Sequence, residues 1–215
     1  EKLQAKYDKK AGIISIGPAG EMKMAMASIA VTSTNGYPSR HAGGGGLGAV
    51  MGSKGLKAIV VDDAGGEKVA IKNPEAFKEA SQKFVKALRE HPVTSQGLPT
   101  YGTNVLVSII NEAGGFPTRN FSSGRFGGAD KISGEAMHEI ISKRGGKTTH
   151  SGCTTCIIQC SNTWYKTDGK EHTSCVEYES DWALGANCGI DSLDDVAEMV
   201  RLCNAYGLDT IETGT

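Results

Sequence analysis

Three cysteines fall within one short run, Cys153-Thr154-Thr155-Cys156-Ile157-Ile158-Gln159-Cys160, and none precedes them in the chain. This C-x2-C-x3-C spacing constrains the fold more than any other feature. A loop turning into a helix can bring thiolates so spaced onto one inorganic centre, and the surrounding chain must hold that loop. Soft sulfur ligands select iron–sulfur clusters, zinc or Cu(I). The plain alternative is a set of buried structural cysteines, because free Cys is among the most buried residue types; the tight grouping argues against it. A disulfide framework fits poorly with a chain that shows no secretory features. A zinc site normally closes with a second Cys or His pair, whereas His150, Cys175, Cys188 and Cys203 are scattered singly. Three close ligands and one distant one suit a cubane cluster. Radical enzymes that use S-adenosylmethionine carry the reverse order, C-x3-C-x2-C. Iron–sulfur is therefore the preferred reading of the run.

Composition narrows the rest. The chain has 215 residues and a net charge of −1, which gives no electrostatic reason to expect nucleic acid or anionic lipid as a partner. No apolar run approaches the roughly 20 residues that a membrane span requires. The 29 glycines are well above the usual share and suggest backbone brought close to something such as a cofactor. The chain opens at Glu1-Lys2-Leu3-Gln4 without methionine or signal segment and stops at Thr213-Gly214-Thr215, in what reads as a structured turn. It is expected to be a piece of a longer protein.

Patterning predicts an α+β fold, with a β-rich part over 1–64 and a mostly helical part over 65–215. Gly12-Ile13-Ile14-Ser15-Ile16 and Ala58-Ile59-Val60-Val61 read as short strands. Met22, Met24 and Met26 alternate with polar and small residues, which fits a strand whose methionines pack in the core, with helix as the other option. Asp62-Asp63-Ala64-Gly65-Gly66 marks a boundary. Asn73-Pro74 opens a helix whose stripe is Phe77, Ala80, Phe84, Val85 and Leu88. Further helices are expected over Asn104 to Ala113, after Ser133, and after Ser192, the last ending at Gly207.

Arg40-His41-Ala42-Gly43-Gly44-Gly45-Gly46-Leu47-Gly48 contains a formal G-x-G-x-x-G. A dinucleotide fingerprint needs a preceding strand, and Ser39 to Ala42 does not read as one. Gly48 to Lys54 is one residue too short for a Walker A loop. A structural glycine turn is the plain alternative. Chemically the run offers backbone N–H groups that phosphates can approach, with Arg40 and Lys54 nearby.

Taken together the chain resembles the aldehyde:ferredoxin oxidoreductase family, tungsten or molybdenum bis-pterin enzymes. The resemblance rests on Gly17-Pro18-Ala19-Gly20-Glu21, Arg40-His41-Ala42-Gly43, Gly48 to Lys54 and Gly115-Phe116-Pro117-Thr118-Arg119-Asn120-Phe121. It continues through the cysteine run, Glu177-Tyr178-Glu179, Ala183 to Ile190 and Tyr206-Gly207-Leu208-Asp209-Thr210. It implies that this chain is the end of a β-rich pterin-saddle domain followed by the start of a helical domain. It implies a [4Fe-4S] cluster on Cys153, Cys156 and Cys160, with the fourth cysteine outside this chain. Arg40, His41, Ala42 and Gly43 would lie near the pterin phosphates and a bridging magnesium. Asn204, Gly207, Leu208 and Asp209 would hold the second pterin, and Glu179 would stand beside the metal as an acid–base group.

The implied reaction oxidises an aldehyde to a carboxylate, or the reverse, and passes electrons through the cluster to ferredoxin or another acceptor. A cytoplasmic protein is expected, with no nucleic acid partner; a homo- or hetero-oligomer is left open. The same scaffold reducing aromatic thioesters or carboxylic acids is a second reading. A pterin-free iron–sulfur electron-transfer module and a zinc-stabilised binding domain are others. The 215 residues alone are expected to show no turnover. Three departures from the family pattern stand out. Gly44 occupies a position where an arginine is common, and Asn204 one where aspartate is usual. Glu198 falls near an inter-subunit metal ligand of some members, but Arg201 replaces the expected histidine, so no metal is expected there. Cys175, Cys188 and Cys203 read as buried core cysteines, no histidine is assigned to a metal, and Arg119 reads equally as a phosphate contact or a surface ion pair.

Overall fold

The computed structural model describes residues 2–7, 10–33, 39–147 and 152–215; His150, named above among the scattered ligand candidates, lies outside them. The first part holds α1 (Lys2–Lys6), β1 (Gly12–Ile16), α2 (Pro18–Glu21), β2 (Ile29–Val31), β3 (Arg40–Ala42), α3 (Leu47–Ser53) and β4 (Ala58–Val61). The second holds α4 (Pro74–Glu90), α5 (Leu98–Tyr101), α6 (Leu106–Ala113), α7 (Gly134–Lys143) and the hairpin β5 (Thr163–Tyr165) and β6 (Glu171–Ser174). It ends with α8 (Tyr178–Leu184), α9 (Leu193–Tyr206) and α10 (Thr210–Gly214). Residues 62–73, between the parts, form no helix or strand and are exposed.

The two β-branched runs form neighbouring strands of one antiparallel sheet, in the order β3-β2-β1-β4. Ile14 stands opposite both Val31 and Ile59, and Val31 in turn opposite Arg40. Residues 40–42, in a stretch not expected to be a strand, thus supply one edge of the sheet. An antiparallel edge with no crossover excludes the dinucleotide fold that the glycine spacing formally allows. α2 and α3 pack at glycines: a Cβ on Gly52 would stand 1.9 Å from the Gly20 carbonyl oxygen. The methionine stretch departs from expectation. The chain turns after α2, with Lys23 at φ 59°, so Met22 is 73% exposed instead of buried.

The helical part carries the main core, built around Phe116, Ile132, Met137, Trp164, Val176 and Val196. Its helices start where the caps place them. Asn73 accepts from the Ala76 N–H, Ser133 from Ala136 and Ser192 from Asp195, each satisfying an otherwise unpaired donor of the first turn. The helix expected over 104–113 begins as a 3-10 turn at Gly102–Val105, because Gly102 at φ 65° redirects the chain. The stripe of α4 faces outward, with Phe77 and Phe84 58% and 66% exposed.

The two parts are stitched at the end of α9. The Ser28 N–H donates to the Gly207 carbonyl at 2.8 Å, and the Asp209 N–H to Met26 at 2.9 Å. Gly207 adopts φ 75° and lies against Gly17, where a Cβ would fall 2.4 Å from the Tyr206 oxygen. This close approach requires glycine on both sides.

Candidate cofactor cleft and cysteine loop

The stitch leaves a cleft of about 350 Å³ between the sheet edge and the α9–α10 turn. Arg40, His41, Gly43 and Gly44 line one wall; Asn204, Leu208 and Asp209 line another; Cys175, Glu177 and Ser180 contribute as well. Of the residues expected to hold cofactor, Arg40, His41, Gly43, Asn204, Leu208 and Asp209 therefore meet in one place. Ala42 and Gly207 do not line it: Ala42 ends β3 opposite Ile29, and Gly207 makes the backbone contact with Gly17.

Local structure explains how these side chains are held. The His41 Nδ1 lies 2.8 Å from the hydroxyl of the fully buried Ser28. Asp209 caps α10, its Oδ2 accepting from the Glu212 N–H at 3.1 Å, while its Oδ1 faces Gly43, where a Cβ would be only 2.2 Å away. Asn204 donates to the Ser174 carbonyl at 3.4 Å. Beside this wall, a Cβ at Gly44 or Gly45 would meet nothing within 4 Å. Open space over bare backbone, with the Arg40 guanidinium adjacent, fits a phosphate-bearing group such as the pterin expected there.

The cysteine run forms an irregular loop, without helix or strand. Thr155 and Gln159 take φ 65° and 55°, and these left-handed residues coil the chain between the thiols. Cys153 is exposed, and Cys156 and Cys160 are partly so. The Cys160 thiol is pushed up first by burial, then by the Glu177 carboxylate, with smaller contributions from Cys156 and Cys153. Among the described residues, no group of three or more His, Cys, Asp or Glu side chains is set to hold a single ion. Three thiolates on one loop are a donor set of the kind an iron–sulfur cluster takes.

Ser161 was not singled out by sequence, Glu177 entered only as part of the Glu177-Tyr178-Glu179 motif, and Cys175, read as a buried core cysteine, is instead half-buried at the cleft. Glu177 precedes the first turn of α8, and both its oxygens are held: the Thr103 hydroxyl donates to Oε2 at 2.7 Å and the Ser161 hydroxyl to Oε1 at 2.6 Å. Arg40 Nη1 lies 3.9 Å from Oε1. Cys175, at φ 64°, lines the cleft with its thiol raised chiefly by burial. Glu179, two residues further on, is exposed and not among the cleft-lining residues. The Glu177-Tyr178-Glu179 pattern alone could not distinguish the two carboxylates. Of the remaining cysteines, Cys203 is buried as expected, whereas Cys188 is exposed. Arg119 is exposed at φ 46° and anchored through its N–H to the Ala186 carbonyl.

Beneath this layer lies a second one, reached by stepping one residue along two segments and one turn along α8. Asn104, Asn162 and Asp181 are all fully buried. Asn162 Nδ2 reaches the Tyr101 and Val176 carbonyls and Asn104 Oδ1 at 3.3 to 3.5 Å. Neither Asp181 oxygen has a hydrogen-bond partner among the described residues. Burial raises this carboxyl well above its ordinary value, and the nearby Asn104 amide offsets that only in part. Away from the cleft, Glu198 is engaged by Arg201 at 2.6 Å and by His172 at 2.8 Å.

A sheet edge and a helix terminus enclosing a cleft, next to a thiol-rich loop, suit a cofactor-binding protein. Sequence comparison identifies which kind. A family model described as "Aldehyde ferredoxin oxidoreductase, N-terminal domain" matches residues 1–63, and one described as "Aldehyde ferredoxin oxidoreductase, domains 2 & 3" matches residues 79–215. The chain belongs to the aldehyde ferredoxin oxidoreductase family. It is 46% identical over 207 residues to a tungsten-containing aldehyde ferredoxin oxidoreductase of Pyrococcus horikoshii, covering 96% of this chain and 32% of the relative. It is 44% identical over 206 residues to that of Pyrococcus furiosus, again covering 96% and 32%. The chain thus spans about a third of the length of these curated relatives. In fold it is similar to the active-site complex BamBC of benzoyl coenzyme A reductase, with a TM-score of 0.68 at 22% identity over 97% of this chain and 31% of the other. Among the described residues no helix is long and apolar enough to cross a membrane.

Proposed function

We propose that this chain is the part of a tungsten-pterin oxidoreductase that binds pterin phosphates and three corners of a [4Fe-4S] cluster. The protein interconverts a small aldehyde and its carboxylate and exchanges electrons with ferredoxin. The observation that carries this reading is the meeting of the Arg40–Gly44 edge and the Asn204–Asp209 turn in one cleft, with the cysteine loop attached through Ser161. When bound, the tungsten-pterin group and cluster supply the two-electron and one-electron chemistry.

The chain's own residues bind and orient. Arg40 and the open backbone at Gly44 and Gly45 would receive the phosphates, whose own oxygens would carry the magnesium. Leu208 and Asp209 hold the second pterin beside Asn204, whose amide offers a donor where a carboxylate would only accept. Cys153, Cys156 and Cys160 ligate the cluster as thiolates. Glu179, which is exposed and does not line the cleft, is the acid–base group this reading expects, exchanging a proton with water.

The test is elemental analysis of the full-length protein purified without oxygen, followed by aldehyde-dependent reduction of ferredoxin or a viologen. Iron, acid-labile sulfide and tungsten together with turnover are expected. Zinc in place of iron, or iron without tungsten or molybdenum, refutes the reading.

A further inference from the structure

Among the carboxylates of this region, Glu177 is distinguished by what surrounds it. Glu198 is paired with the Arg201 guanidinium through two hydrogen bonds, at 2.9 and 2.6 Å, which offset its charge. Glu179 is exposed, where water screens it. Glu177 is different: its side chain is 22% exposed, its two short contacts come from neutral hydroxyls, and its nearest cation, Arg40, stands at 3.9 Å. Hydroxyl donors fix a carboxylate without cancelling its charge, so its field persists in a partly desolvated site.

That field has a direction. Ser161 follows Cys160 directly, and its Oγ lies 2.6 Å from Glu177 Oε1 and 3.7 Å from Cys175 Sγ. A hydroxyl has one proton, and the shorter contact assigns it to the carboxylate. The Thr103 hydroxyl, which donates to Oε2, also accepts the Tyr178 N–H at 2.9 Å, so the side chain is tied to the start of its own helix.

We propose that Glu177 is a positioning residue that ties the cysteine loop to the Arg40 edge of the cleft, and that its negative charge holds down the reduction potential of the cluster on that loop. This deepens the cluster reading and rests on it. A fixed negative charge beside a cluster disfavours the added electron; replacing it with a neutral isostere favours reduction.

The experiment is an EPR-monitored redox titration of the full-length holoprotein in three forms: wild type, Glu177→Gln and Glu177→Asp. Glu177→Gln is expected to keep wild-type iron and sulfide content and to shift the cluster midpoint to more positive potential. Glu177→Asp, which keeps the charge, is expected to stay closer to wild type. A full cluster with an unchanged midpoint in Glu177→Gln overturns the proposal, as does an equal shift in both variants, which would mark packing and not charge as the cause. Loss of the cluster in Glu177→Gln with retention and a near-wild-type midpoint in Glu177→Asp supports the proposal. Loss in both makes Glu177 a structural post only and overturns it. Wild-type protein without a [4Fe-4S] signal defeats the cluster reading itself, before any variant is compared.

Discussion

Asp181 allows a prediction whose sign and slope follow from burial alone. Its carboxyl is fully buried, neither oxygen has a partner among the described residues, and desolvation raises its pKa well above the ordinary 3.8. In the unfolded chain the same group ionises with a pKa near 3.9. Between that value and the raised folded value, the unfolded state has lost a proton that the folded state keeps. Stability contributed by this group is therefore complete at low pH and falls as pH rises, by about 1.4 kcal/mol per unit. Asp181→Asn is nearly isosteric and cannot ionise, so it removes this slope. The difference in unfolding free energy between variant and wild type should grow in the variant's favour as pH rises from 4.5 toward 6.5, by up to about 1.4 kcal/mol per unit while the folded carboxyl stays protonated. Urea unfolding at several pH values measures it, and taking the difference cancels every group common to both proteins. A difference that stays flat over this range would show that Asp181 is ionised in the folded state, and would refute the assignment of a neutral buried acid.

Three further perturbations have definite outcomes. Trp164 is 1% exposed, donates its Nε1–H to Asp194 at 2.9 Å and lies under the Arg144 guanidinium at 5.0 Å; Trp164→Ala should cost about 3–5 kcal/mol in chemical unfolding, and Trp164→Phe clearly less. Gly43→Ala places a Cβ against Asp209 Oδ1; displacing the α10 cap should cost about 1 kcal/mol and lower the tungsten content of the full-length protein, read by elemental analysis. Glu198 is held at a pKa of about 2, chiefly by its hydrogen bond to Arg201 and also by His172. Its contribution is present above the ordinary Glu range and lost as pH falls toward 2. Because the side chain is 46% exposed, Glu198→Gln should cost no more than about 1 kcal/mol at pH 6, and that cost should shrink on acidification.

What sequence made legible was local. The strands at 12–16 and 58–61 and the helices after Asn73, Ser133 and Ser192 are announced by β-branched runs and capping residues within a few positions of each element. β3 is not. Three residues, two of them polar, become a strand only because Val31 and its neighbours offer an edge, a non-local condition that no pattern over 39–42 records. The shape of the cysteine loop was not legible either, because Thr155 and Gln159 carry no sign that they adopt left-handed backbone. The choice between Glu177 and Glu179 depended on where α8 begins. The residue before the first turn keeps extended geometry and points back to Thr103 and Ser161, while its neighbour on the helix points out.

The site residues were legible as types, but the cleft was not. Nothing in the spacing of residues 40 and 204 relates them. They meet because α9 ends in a left-handed glycine that lies against Gly17, a contact whose only sequence signal is the absence of two side chains. Once that stitch exists, the remaining order follows in steps. Thr103 and Ser161 fix Glu177 at the cleft, and the next residues along, Asn104 and Asn162, lie with Asp181 one α8 turn below. A neutral acid in the lower layer leaves Glu177 as the negative charge of the pair. Ionising Asp181 would place a second, unpaired charge in the core beneath the first. The pH slope of Asp181→Asn and the cluster potential of Glu177→Gln therefore test one electrostatic arrangement from its two ends.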